Sequence, residues 1–154
     1  MRVPVVREEI IIRRATRDDI PTIVAMYASS SLHGDEPLDA DRSEAFAEID
    51  SDPKQMLCVA TLGGERVVGT FHLTTLRYLS FGGARAMLVE AVHVLESERS
   101  RGIGAEMMRF AIDEARRRGC QRIQLTSNKK RADAHRFYER LGFVRSHEGF
   151  KLYL

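Results

Sequence analysis

The sequence has few of the features that mark out special classes of protein. Cys58 and Cys120 are its only cysteines, too few and too far apart for a disulfide framework or a metal-ligand spacing. No apolar run approaches the roughly 20 residues needed to span a bilayer. Val3-Pro4-Val5-Val6 is too short for a signal-peptide core. Charge of one sign is not in excess: 24 Lys and Arg face 22 Asp and Glu, interleaved, for a net +2. No bulk field therefore draws the chain to nucleic acid or to an anionic membrane. There is no internal repeat and no low-complexity tract. The expectation is a cytoplasmic protein with reduced thiols and neither nucleic acid nor membrane among its partners. Its 154 residues are enough for one domain with a core and too few for two ordinary ones.

What is present is concentrated between residues 92 and 108. Val92 and Val94 alternate as a strand does, a polar turn follows, and the apolar period then changes. Ile103, Met107, Met108, Ala111, Ile112 and Ala115 fall on one helical face. The first turn of a helix carries N–H groups with no intrahelical partner and roughly +0.5 charge from the dipole. Gly102 and Gly104 would let a diphosphate approach that backbone without meeting a Cβ. Arg99 and Arg101 add positive charge beside it. The stretch reads as a holder for a phosphorylated cofactor.

Elsewhere the chain alternates between strand and helix signals. Residues 1–9 read as a lead-in and residues 10–15 as a first strand. Thr16 is a candidate N-cap, with Asp18 and Asp19 in the first turn of a helix reaching to about Ser29. A polar loop follows, then a short helix over residues 40–49. Residues 56–62 and 66–77 read as hairpin partners about Gly63-Gly64. Residues 86–95 read as the next strand, and the long helix should stop at Gly119. A strand at residues 123–126 and a basic loop at 128–131 follow. Ala134, Phe137, Tyr138 and Leu141 share one face of a short helix. Residues 143–145 and 150–154 would form a final hairpin. The order β-α-α-β-β-β-α-β-α-β-β describes an α/β chain: a mixed central sheet flanked by helices, with a right-handed crossover through the long helix.

The phosphate-holding pattern can be narrowed. No Gly-Lys-Ser/Thr follows Gly104, which excludes a Walker loop. A dinucleotide fingerprint would need glycine where Met107 stands. What remains, Arg99-x-x-Gly102-x-Gly104, resembles the acetyl-coenzyme A signature of the GCN5-related N-acetyltransferase (GNAT) superfamily. Ile12-Arg13-Arg14-Ala15-Thr16-x-x-Asp19 resembles that family's opening strand and helix. The run from Ala134 to Phe143 is similar to its closing A-x-x-F-Y-x-x-x-G-F motif. The last third, from Asn128 through Tyr138 to Ser146-His147 and Phe150, is similar to the aminoalkylphosphonate N-acetyltransferase branch. Many members carry Asn three residues before the motif's alanine. Here that position is Arg131, and an asparagine sits earlier, at Asn128.

The resemblance implies a single N-acetyltransferase domain over residues 1–154, with acetyl-CoA as cofactor and a small-molecule amine as acceptor. It admits a homodimer. Val92, Val94 and Leu95 would lead into the cofactor site, and Arg99, Arg101, Gly102, Ile103, Gly104 and Ala105 would cradle the pyrophosphate. Asn128 and Arg131 are alternative further cofactor contacts. An amine with a lysine-like pKa costs roughly 4.6 kcal/mol to deprotonate at pH 7, so a positioned base is useful. Tyr138 is implied as the acid for the leaving thiolate and Glu90 as the base. Glu90 precedes Val94 by four residues on a strand, so the two should share a side of the sheet, with His93 on the other as a satisfied polar neighbour. His135 reads as surface or cap-related. His33, Asp35, Glu36 and His147 are candidate substrate contacts on loops.

The acceptor stays open at this level. Asp35, Glu36, Asp39 and Asp41 would attract a cationic amine, whereas Lys129, Lys130 and Arg131 suit an anionic tail. A protein lysine or N-terminus is an alternative acceptor. A non-catalytic acetyl-CoA sensor is the reading from another class.

Overall fold

A computed structural model describes residues 7–30, 37 and 40–154. The chain falls into two compact units, Met1–Gln124 and Leu125–Leu154. The first holds β1 (Ile10–Arg14), a 3-10 turn (Arg17–Asp19), α1 (Ile20–Ser29), α2 (Ser43–Ser51), β2 (Gln55–Leu62) and β3 (Arg66–Arg77). It continues with a left-handed turn labelled α3 (Ser80–Gly83), β4 (Arg85–Val94), a 3-10 turn (Glu96–Glu98), α4 (Ile103–Arg117) and β5 (Cys120–Leu125), whose last residue begins the second unit. The second unit contains α5 (Ala132–Arg140).

The sheet runs in order β1-β2-β3-β4-β5, with β1 to β4 antiparallel. Gly63 and Gly64 both adopt positive φ (63° and 86°), which suits the tight turn joining β2 to β3. Ile103, Met107, Met108, Ala111 and Ala115 of α4 are all buried, as the apolar stripe predicts. Phe110 meets Phe71 of β3 edge-on at 6.1 Å. A second cluster, Ala15, Ile23, Met26, Phe46 and Val59, packs α1 and α2 against the sheet.

Thr16 caps the chain as expected, but the turn it opens is a 3-10 turn, and α1 starts only at Ile20 with a proline in its first two positions. Asp19 closes the capping box and accepts two bonds from Arg13, at 2.7 and 2.9 Å. The Arg13 guanidinium holds the Asp19 carboxyl below the usual carboxylate range. Residues 7–9 are more than a lead-in: the carbonyl of Glu9 accepts the Gly63 N–H at 3.0 Å, and Glu8 lies 3.4 Å from Arg66. The anticipated hairpin over residues 143–154 does not form. Val144, Phe150, Leu152, Tyr153 and Leu154 are more than four-fifths exposed. Period-two alternation supplies strand propensity, but without a packed face it does not hold an isolated hairpin.

Glu114 locks the far end of α4. Its buried carboxylate accepts from Arg117 at 2.8 and 2.6 Å and from Arg118 at 2.6 Å. Arg118 also donates to the Pro53 carbonyl and to Thr75 Oγ1. The Arg117 bonds, then those from Arg118, pull the Glu114 pKa down to about 2. A carboxyl lowered in the folded state stabilises it above the ordinary Glu range, near pH 4.3, and that contribution fades as pH falls toward 2. Glu114→Gln should therefore cost about 2 kcal/mol at pH 7 and lower Tm by about 4–8 °C. Its stability should also fall less steeply than the native protein's between pH 5 and 2. Thermal melts across that range check both.

Candidate functional site

The end of β4 and the start of α4 make one continuous feature. After the Glu96–Glu98 turn the chain passes Arg99, takes Ser100 through φ +63° and reaches Gly102 at φ +84°. Gly102 is the N-cap of α4, and a Cβ there would meet nothing within 4 Å. Its left-handed backbone, and not crowding, calls for glycine. The first intrahelical bond runs from Glu106 N–H to the Gly102 carbonyl, 3.1 Å, and no side chain caps the helix. The N–H groups of Ile103, Gly104 and Ala105 are consequently left without helical acceptors, at the positive end of the dipole.

The two arginines of the turn differ. Glu98 is buried and accepts from Arg66 of β3 at 2.5 Å and from Arg101. Bonds from Arg66, then Arg101, hold its carboxyl below the usual range. The Arg101 charge is thus countered within the turn, and Glu98, through Arg66, ties that turn to the sheet. Arg99 is exposed and lines a cleft of about 240 Å³.

That cleft lies in the first unit, between the last turn of α1 (Met26, Ser29) and residues His93, Val94 and Leu95. Val94, Leu95 and Arg99 of the expected site line it; Glu90 and Val92 do not. The Leu95 N–H is already donated to the Val68 carbonyl at 2.8 Å. Successive N–H groups on a strand alternate sides, so the Val94 N–H points away from β3.

His93 is the departure from expectation. Thr70 pairs with His93 and His72 with Glu90, so Phe71 alone stands opposite both Ala91 and Val92. This is a β-bulge, with Ala91 in the left-handed region at φ +50°. Cross-strand partners share a face, as do residues two apart on β3. Glu90 and His93 therefore stand on the same face of the sheet, and Val94, partnered with Gly69, on the other. The extra residue reverses the parity that simple alternation assigns. The His93 ring sits 5.1 Å from that of Tyr27 on α1, tilted by 57°, while Glu90 is exposed. Beside Glu90, His72 buries its Nε2 without a partner, and that burial lowers its pKa. Alternation gave no reason to single out His72.

In the second unit, Tyr138 on α5 meets Phe137 and Phe143 edge-on at 5.1 and 5.7 Å. Burial pushes its phenol upward, against a smaller opposing effect of Arg131. Asn128 Oδ1 accepts the Lys130 N–H at 2.9 Å. The Asn128 carbonyl accepts the Arg131 N–H and lies 2.9 Å from His135 Nε2, so His135 anchors the turn before α5. Arg131 is exposed at the N-cap of α5. Lys129 pairs with Glu148 at 2.9 Å, and exposed His147 places Nδ1 2.6 Å from Ser146 Oγ. Residues 125–154 carry seven Lys and Arg against three Asp and Glu, so positive charge is concentrated there.

His33, Asp35, Glu36 and Asp39 lie outside the described residues. Asp41 accepts the Ser43 N–H at 2.8 Å and serves the start of α2. Among the described residues no group of His, Cys, Asp and Glu could hold a metal ion, and no helix is long and apolar enough to cross a membrane. Burial raises the Cys58 thiol to about 12, which makes it unreactive.

The acetyltransferase (GNAT) family model matches residues 20–143. The chain is 34% identical over 139 residues to an aminoalkylphosphonate N-acetyltransferase of Salmonella typhimurium, covering 90% of this chain and 88% of that one. Among solved structures it is similar to a transcriptional regulator from Bacillus halodurans, at TM-score 0.89 and 38% identity, covering 95% of this chain and all of that one. A glucosamine-6-phosphate N-acetyltransferase from Arabidopsis thaliana shares the fold at TM-score 0.74 and 20% identity, with 95% and 99% covered.

Proposed function

Because the chain belongs to the acetyltransferase (GNAT) family and is an N-acetyltransferase, we propose that it moves an acetyl group from acetyl-CoA to the primary amine of a small aminoalkylphosphonate. The observation that carries the donor half is the uncapped first turn of α4 beside the cleft. Three main-chain N–H groups, of Ile103, Gly104 and Ala105, are free of helical acceptors there, and a glycine cap puts no side chain in front of them. This arrangement fits a diphosphate. Arg99 supplies a charge at the cleft, and Glu98, paired with Arg101 and Arg66, keeps the turn in place.

Bound acetyl-CoA would supply an electrophilic thioester carbonyl. The chain's residues do the rest. The Val94 N–H, directed away from β3, is the donor for a carbonyl oxygen; Leu95 and Val92 fix the strand that presents it. Glu90, exposed on β4, passes the amine's proton toward solvent. Tyr138, kept protonated by burial, is the proton donor to the departing sulfur.

The phosphonate acceptor is supported by the relative's stated substrate and by the basic balance of residues 125–154. Lys130 and Arg131 form no ion pair among the described residues, and a guanidinium matches a phosphonate's oxygens in bidentate fashion. His147 and Asn128 are further polar candidates in the same stretch. Homodimerisation and a cytoplasmic setting complete the proposal.

Thiol release should be measured across aminoalkylphosphonates, matched alkylamines without the phosphonate, polyamines and peptides. The phosphonates should show kcat/KM at least about tenfold above the matched alkylamines, the worth of one charge-assisted contact. Equal rates with and without the phosphonate would remove that acceptor. Binding of acetyl-CoA with no thiol released by any amine would leave only a binding module.

A further inference from the structure

Resting on the acetyltransfer reading above, we propose that His93 is the group that takes the proton from the incoming amine. Three observations on the fold converge on this residue. The bulge at Ala91 turns His93 onto the α1 side of the sheet, where alternation would not have put it. His93 then lines the cleft, whereas Glu90, on the same face, is exposed and stands outside it. His93 is also adjacent in sequence to Val94, whose N–H points away from β3. Consecutive residues of one strand thus present an imidazole and an outward main-chain N–H, the two kinds of group that an amine attacking a thioester carbonyl calls on.

His93 stands among groups of both signs. On its own strand the nearest titratable group on that face is Glu90, and around the cleft stand Glu96 and Arg99. From β3, Thr70 is its cross-strand partner and His72 lies on the same face. From α1, Tyr27 presents its ring. The two carboxylates attract a cationic amine toward the cleft, and Arg99 opposes that effect. In the step itself an N–H bond of the alkylammonium breaks and its electron pair stays on nitrogen. A new N–H bond forms on the imidazole, giving a neutral amine and an imidazolium. The proton then leaves through the open cleft, with exposed Glu90 as the next carboxylate on its route.

His93→Gln should lower kcat/KM at pH 7 by about 100-fold, the low end for general-base catalysis, and should remove the acidic limb of its pH profile. Affinity for acetyl-CoA, read by calorimetry, should stay within about twofold. Added imidazole should restore part of the rate to His93→Ala, which a purely packing role would not allow. His93→Phe keeps an aromatic ring against Tyr27 and serves if the glutamine variant fails to fold. An unaltered acidic limb in either variant, with wild-type turnover, would overturn the assignment of His93. A wild-type enzyme that releases no thiol with any amine would instead overturn the acetyltransfer reading beneath it.

Discussion

Tyr138→Phe should reduce turnover about 1,000-fold, within the span observed for a positioned proton donor. Binding of acetyl-CoA should change by less than about twofold. The substitution is narrow in what it removes. The contacts of Tyr138 with Phe137 and Phe143 are ring-edge contacts, which phenylalanine reproduces, so the melting temperature should hold. Only the hydroxyl is lost. Burial raises the phenol's pKa above its ordinary value near 10, and the group is protonated at every pH where the enzyme would be assayed. That is the state a donor needs. Against a thiol reference near 8.5, transfer from an ordinary phenol is uphill by about 1.5 units, or roughly 2 kcal/mol. The elevated pKa adds to this, but the cost is small beside expulsion of an unprotonated thiolate. Because the shift is upward, loss of activity through Tyr138 ionisation should set in only above pH 10. Single-turnover rates and calorimetry on the same preparation separate the two effects. A wild-type single-turnover rate in the phenylalanine variant would take Tyr138 out of the chemistry and assign it to the packing of α5.

The parts of this protein that local sequence describes well are those whose signals are local. The β2–β3 hairpin was legible because two consecutive glycines adopt positive φ between alternating runs. The inward face of α4 was legible because its apolar residues repeat at helical period, and all five of the buried ones are in the predicted stripe. Alternation also misled, at both ends of its range. It projected a terminal hairpin over residues 143–154, where Phe150, Leu152 and Leu154 alternate but no sheet face receives them. It also put Glu90 and Val94 on one side of β4. The bulge that reverses this sits on Ala91, and alanine at φ +50° is uncommon enough that no residue type announces it. A glycine or asparagine there would have been the warning. The anchoring of the Arg101 turn was hidden for a different reason. The carboxylate partner of Arg101, Glu98, is shared with Arg66, some thirty residues earlier, and such a pairing exists only once β3 and the α4 turn have come together. The motif residues were therefore visible in sequence, while the pairing of Arg101 with Glu98 and the shared face of Glu90 and His93 were not.

The second large effect concerns Gly104, and it separates two reasons for having glycine in one motif. Gly102 takes φ +84°, so a side chain there strains the backbone by roughly 1–2 kcal/mol whether or not a ligand is present. Gly104 is absent from the positive-φ positions and sits second in a regular helix. Valine at such a site costs or gains only a few tenths of a kcal/mol relative to glycine. Gly104→Val should therefore fold and melt as the native protein does. Its effect should fall on whatever approaches the first turn of α4, because a β-branched side chain there screens the neighbouring N–H groups. Losing two charge-assisted bonds, at roughly 2 kcal/mol each, corresponds to about a 1,000-fold weaker Kd for acetyl-CoA. Gly102→Ala makes the complementary case: it should lower Tm by several degrees while affinity falls less. The pair of variants, each read by calorimetry and by thermal melting, distinguishes a ligand-approach glycine from a conformational one. If Gly104→Val binds acetyl-CoA with native affinity, the uncapped turn of α4 is not where the diphosphate rests. Arg99 and the cleft beside His93 would then have to hold the cofactor without it.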